Sequence, residues 1–277
     1  LRADLVGPER REKAVSLVMA GGLLGAVLGP NLAAGTRDLF TVPFAGAYLS
    51  LAVVALLSMG LMAFLRFPAA PVAQAGQPAG RSLATILRQP VFIVAAAGGA
   101  LCYGVMNLLM AATPLAMQQC GLPFASAALV LEWHVIGMFA PGFFTGSLIK
   151  RFGPLPIMAC GVLLNAACIA VALSGVDLHQ FVIALFLLGV GWNFLFTGST
   201  TLSLSTYRPE ERDKAQGALN FFVMATLACT SLASGVLVTT QGWTLLNWGS
   251  LVPVAAIAVA LGWLAVHLRR TASTAAA

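Results

Sequence analysis

Charge is what this sequence has least of. Asp, Glu, Lys and Arg make up 9% of its 277 residues, against roughly 25% in soluble domains. A soluble globule of this length could not cover itself with so few charged side chains. Hydrophobic residues reach 59%, so the solvent for most of the chain is lipid. Cysteine has no pattern: Cys102, Cys120, Cys160, Cys168 and Cys229 are scattered, with no CxxC pair and no metal-ligand spacing. They read as small apolar packing residues, and neither a metal nor a cofactor is expected. A GxxxxGK[ST] phosphate loop is missing, so the chain brings no nucleotide-driven motor of its own. Asp-rich and HxxxxD patterns are missing too, which argues against a membrane transferase. Such an enzyme needs clustered acids or histidines to hold a metal or activate a nucleophile.

What is present is a succession of long apolar runs. Eight lack basic residues, at about 14–35, 43–65, 89–116, 124–149, 154–176, 178–203, 215–240 and 243–266. Each is long enough for a helix of ~20 residues to cross the hydrocarbon. Backbone groups in lipid must bond within their own segment, and the short alternating strands of a barrel are not seen, so the spans are helices. The expected fold is an all-α integral membrane protein with eight transmembrane helices.

The net charge of +6 would suit a nucleic-acid binder, but the placement of the cations excludes that reading. Basic residues stand before the first run (Arg2, Arg10, Arg11, Lys13), then in every second connection. These connections hold Arg66, Arg81 and Arg88, then Lys150 and Arg151, then Arg208, Arg212 and Lys214, and Arg269 and Arg270 follow the last run. The alternate connections hold only Arg37, so fourteen of fifteen cations share one side. The positive-inside rule makes that side the cytoplasm. Both ends of the chain are then cytoplasmic, in the inner (plasma) membrane.

The one long polar connection, "RFPAAPVAQAGQPAGRSLATILRQP" at 66–90, reads as a flexible linker rich in Pro, Gly, Ala and Gln. It divides 1–65, with two spans, from 91–277, with six. Two charged heptapeptides, "PERREKA" at 8–14 and "PEERDKA" at 209–215, each lead straight into a span. Proline suits the first turn of a helix, and an acid there meets the positive end of the helix dipole. Six spans lie between the copies, so the repeated unit is a six-helix bundle that keeps its orientation, a described transporter plan.

That organisation resembles the Major Facilitator Superfamily, twelve helices in two halves joined by a cytoplasmic linker. Three stretches carry the resemblance. "GGLLGAVLGPNLAAG" at 21–35 is similar to the family's helix-five motif through Gly25, Gly29 and Pro30, with Ala33 and Ala34 where a glycine pair is usual. "GSLIKRFG" at 146–153 resembles the loop between the second and third helices of a half, through Gly146, Leu148, Arg151 and Gly153, with Lys150 in place of the usual Asp. "PEERDKA" stands where the family has a charged loop before helix eleven. The resemblance makes these spans helices five to twelve. It leads to the expectation of four further helices upstream, at about 35 residues for each span. The resemblance also implies a monomer when full length, a small-molecule substrate and no nucleic-acid partner.

Glu132 is the one acidic residue inside a span. A charge at mid-bilayer costs ~2.5–3.5 kcal/mol on insertion scales, which makes it the candidate for proton coupling; a carboxyl reaching the outer interface or bonding a neighbouring helix is the alternative. His134 lies about 200° further round the same helix, so the two cannot share a face. Asn107, after "GGALCYGVMN", and Asn193, after "GVGWN", sit beside aromatics, as ligand pockets often do. The candidate cavity residues are therefore His134, Asn107, Asn193, Trp192 and Tyr103. Amides in lipid also join helices, and that alternative stands for Asn107 and Asn193. Gly21, Gly25, Gly29 and Ala33 recur every four residues, a spacing that lets helices approach closely. Pro30 removes one backbone hydrogen bond and should bend that helix. The expected function is secondary active transport of a small organic solute, proton-coupled, with a lean to efflux from the helix-five resemblance. An uptake symporter of the same fold, or a chain without transport by itself, is the alternative.

Overall fold

The computed structural model describes residues 11–64 and 80–276, in two compact units. Positions 8–10 of the first heptapeptide, most of the linker (66–79), and Arg2, Arg10 and Arg66 lie outside the described residues.

The first unit is a pair of helices, α1 (Arg11–Thr36) and α2 (Ala45–Ala63). They close on each other where Gly46 meets the Thr36 carbonyl, a spot with no room for a side chain. The Arg37 guanidinium lies over the Phe44 ring at 5.0 Å and near Asp38 at 3.6 Å, closing the turn. Gly25, Gly29 and Ala33 of α1 line a cavity of about 560 Å³ with Tyr48 and Leu51 of α2. Beyond the nearby backbone of α1 itself, no atom of the described residues comes within 4 Å of where a Cβ would stand on Gly21, Gly25 or Gly29. Pro30 lies inside α1.

The second unit holds α3 (Leu83–Leu87), α4 (Pro90–Gln119), α5 (Phe124–Phe139), α6 (Gly142–Phe152), α7 (Pro154–Ser174), α8 (Leu178–Ser203), α9 (Arg212–Thr240) and α10 (Gly242–Ala276). Two short 3₁₀ turns, Leu204–Thr206 and Pro209–Glu211, link α8 to α9. Helix α8 is central, packed by α4, α5 and α7, while α9 lies on α4 and α10 on α4 and α7. Its Leu185, Leu188 and Leu195 are fully buried. In lipid such packing rests on van der Waals fit and close backbone approach rather than on the hydrophobic effect. Gly137 of α5 and Gly189 of α8 provide that approach. A Cβ on Gly137 would stand 2.6 Å from the Phe186 carbonyl, and one on Gly189 would collide with the His134 carbonyl.

Seven helical stretches among the described residues are long and apolar enough to cross a membrane. They match seven of the eight apolar runs, and the remaining run falls on the 26-residue α1. One of these stretches, Phe124–Phe152, is broken into α5 and α6. Pro141 sits at the break: with no N–H it cannot continue the helical ladder. Lys150 and Arg151 occupy the last turn of α6, where cations meet the negative end of the helix dipole. Gly153 then turns the chain into α7 at φ 84°, ψ 164°, a region open essentially to glycine alone. This accounts physically for the closing glycine of "GSLIKRFG".

The linker is ordered where it reaches the second unit. Ser82 caps α3, its hydroxyl accepting from Thr85 N, and Pro90 opens α4. Flexibility, as expected for 66–90, does not describe residues 80–90.

Candidate functional site

Two of the candidate residues converge. Tyr103 lies about 20 Å along α4 and Trp192 about 21 Å along α8, taking ~1.5 Å per residue. Both positions are near the middle of their helices. The rings meet edge to face, centroids 5.2 Å apart at 85°. Phe196, one turn beyond Trp192, completes the cluster: it stacks on Trp192 at 5.2 Å and 9°, and stands edge-on to Tyr103 at 5.3 Å. Trp192 is 8% exposed and its indole Nε1 is buried with no acceptor among the described residues. Tyr103 and Phe196 are partly buried. Phe196 was not among the sequence candidates, though its i+4 spacing from Trp192 on one helix face marks it.

The two amides hold helices together. Asn193 is buried, donates from Nδ2 to the Met138 carbonyl (2.7 Å) and accepts at Oδ1 from the Thr145 hydroxyl (2.6 Å). Met138 lies in the last turn of α5, where the break at Pro141 leaves carbonyls short of donors. Asn193 therefore serves a kink in a neighbouring span. Asn107 donates to the hydroxyls of Thr230 (3.0 Å) and Ser231 (2.9 Å), tying α4 to α9.

His134 is fully buried. Its Nδ1 lies 2.7 Å from the Leu185 carbonyl. A carbonyl only accepts, so Nδ1 carries the proton, and Nε2 is left without a partner among the described residues. The close approach at Gly137 and Gly189 brings the ring to that carbonyl. Glu132, on the same helix, is partly buried and has an interaction partner. Of the remaining motif residues, Gly146 and Arg151 are exposed.

The strongest polar contact in the second unit was not anticipated from sequence. Glu211 of "PEERDKA" has a side chain with 0% exposure, clamped by Arg81. Its Oε1 accepts from Arg81 N (2.6 Å) and Nε (2.9 Å), and its Oε2 from Arg81 Nη2 (2.7 Å) and Arg208 N (2.9 Å). Arg81 Nη2 and Gln89 Nε2 also donate to the Thr206 carbonyl, at 2.9 and 2.8 Å. Hydrogen bonding to Glu211 holds the Arg81 guanidinium above its ordinary pKa. This bidentate pair fastens the end of the linker to the turn between α8 and α9.

The sequence profile of the Major Facilitator Superfamily matches residues 1–140 and, in a second alignment, 95–277. The chain belongs to the Major Facilitator Superfamily. A riboflavin transporter of Brucella anthropi, RfnT, is 43% identical over 249 residues, covering 88% of this chain and 62% of that protein. Two uncharacterized MFS-type transporters of Bacillus subtilis, YddS and YdeG, are each 30% identical, covering 88% of this chain and 60% of their own lengths. The chain thus spans about three-fifths of the length of these relatives. As a family member with these spans, it is a multi-pass membrane protein.

Proposed function

We propose that this chain contributes to a secondary active transporter that moves a small organic solute across the cytoplasmic membrane, with a flavin as that solute. The observation that carries this reading is the 43% identity, over 88% of the chain, to a protein named a riboflavin transporter. The mid-helix meeting of Tyr103 and Trp192 supports it. Helices α1 and α2, the α5–α6 pair as one crossing, and α4, α7, α8, α9 and α10 supply eight spans. They correspond to helices five to twelve of the family, with 1–65 ending one bundle, 66–90 as the central linker and 91–277 forming the other. The profile's two overlapping alignments are what duplicated halves would produce. Rocking of the halves opens a midplane site to each side in turn.

Glu132 carries the coupling proton in this reading, because it is the one carboxyl within a span. His134, Asn107 and Asn193 hold the helices that frame the cavity. Gly25, Gly29 and Pro30 carry the lean to export. The full-length gene product in proteoliposomes tests this. An imposed pH gradient should drive riboflavin, and the direction of flow separates exporter from importer. Glu132→Gln should abolish that drive while leaving exchange down the riboflavin gradient. Full pH-driven flux in the variant removes Glu132 from the mechanism, and no riboflavin flux in the wild type overturns the solute.

A further inference from the structure

Resting on the transport reading above, we infer that Tyr103, Trp192 and Phe196 form the platform on which the planar fused heteroaromatic ring of the solute stacks, with Trp192 Nε1 meeting an acceptor at the ring's edge. Three rings from α4 and α8 gather at mid-depth, and their geometry is graded. Phe196 lies parallel to Trp192 in an offset stack, and Tyr103 walls both edge-on. Offset stacking and edge-to-face walls are the arrangements that aromatic rings prefer. Phe196 and Tyr103 keep part of their surface uncovered, so a flat ring can extend the stack.

The indole N–H supplies the second, independent indication. A buried donor without an acceptor is unfavourable, most of all in a chain surrounded by lipid. The neighbouring amides do not relieve it among the described residues: Asn193 bonds Met138 and Thr145, and the Asn107 amide nitrogen turns to Thr230 and Ser231. A solute with ring carbonyls or ring nitrogens satisfies this donor as the rings part to admit it. A sugar or polyol tail alone offers no π face and would gain nothing from this cluster. The platform therefore selects for the ring system, not the tail.

The test is riboflavin counterflow, which reads transport in either direction, in proteoliposomes of the full-length gene product. Competitors are lumichrome (the bare tricyclic ring) and ribitol (the bare tail). Lumichrome should compete and ribitol should not. Trp192→Leu and Phe196→Leu should each raise the half-saturating riboflavin concentration roughly tenfold, as loss of one ring–ring stack implies. Trp192→Phe, which keeps a ring but loses the N–H, should give a smaller rise. Should Trp192→Leu not reach the membrane, Phe196→Leu and Trp192→Phe carry the test. Unchanged half-saturation in these two folded variants, or competition by ribitol and not lumichrome, overturns the platform alone. Absence of riboflavin counterflow in the wild type overturns the transport reading and the platform together.

Discussion

Asn193 shows how one polar side chain is accommodated inside a membrane. Both ends of its amide are bonded, one to a carbonyl beside the Pro141 break and one to the Thr145 hydroxyl. Asn193→Leu strands the Met138 carbonyl and should lower stability by about 1–3 kcal/mol, read as a lower melting temperature in detergent. Thr145→Val, which removes the hydroxyl shared between Asn193 Oδ1 and the Pro141 carbonyl but leaves the Met138 bond, should cost less. Gly153 makes the same point for the backbone. No Cβ clash awaits it, with the nearest atom 4.0 Å away, but φ +84° excludes other residues. Gly153→Ala should therefore cost about 1–3 kcal/mol through conformation alone, and equal melting temperatures would contradict this.

At the scale of elements, the clamp between the linker and the α8–α9 turn separates charge from geometry. Glu211 accepts from two backbone amides as well as from the guanidinium. Glu211→Gln should loosen the segment and speed tryptic cleavage after Arg88, at the end of α3. Exchanging the two charges, Arg81→Glu with Glu211→Arg, should not restore protection, because an arginine cannot accept from Arg81 N or Arg208 N. Restored protection would show that the pair is merely coulombic.

Some element boundaries were legible in the sequence, though neither the break between α5 and α6 nor α3 was. The runs 154–176 and 178–203 became Pro154–Ser174 and Leu178–Ser203, because an apolar stretch between polar connections has no other form in lipid. The pairings were not legible. Glu211 reads locally as a charge at a helix start, and its partner lies 130 residues away. Asn193 reads as a pocket residue until Pro141 is seen to leave a carbonyl beside it. Tyr103 and Trp192 could be singled out by their neighbours, but that they touch depends on how α4 crosses α8.

At the scale of the whole molecule, the proposed function rests on a proposed threading: cation-bearing connections on one side, helices crossing back and forth between them. Cysteine accessibility in a cysteine-free background of the full-length product tests this most directly. Single cysteines would replace exposed Arg88, Lys150 and Arg212, and, at the alternate turns, exposed Asp38, Val176 and Gln241. An impermeant maleimide added to intact cells should label 38, 176 and 241 and leave 88, 150 and 212 unlabelled until the membrane is opened. Labelling of any of 88, 150 or 212 from outside, or equal labelling of both sets, contradicts the proposed eight-crossing arrangement and, with it, the proposed carrier function.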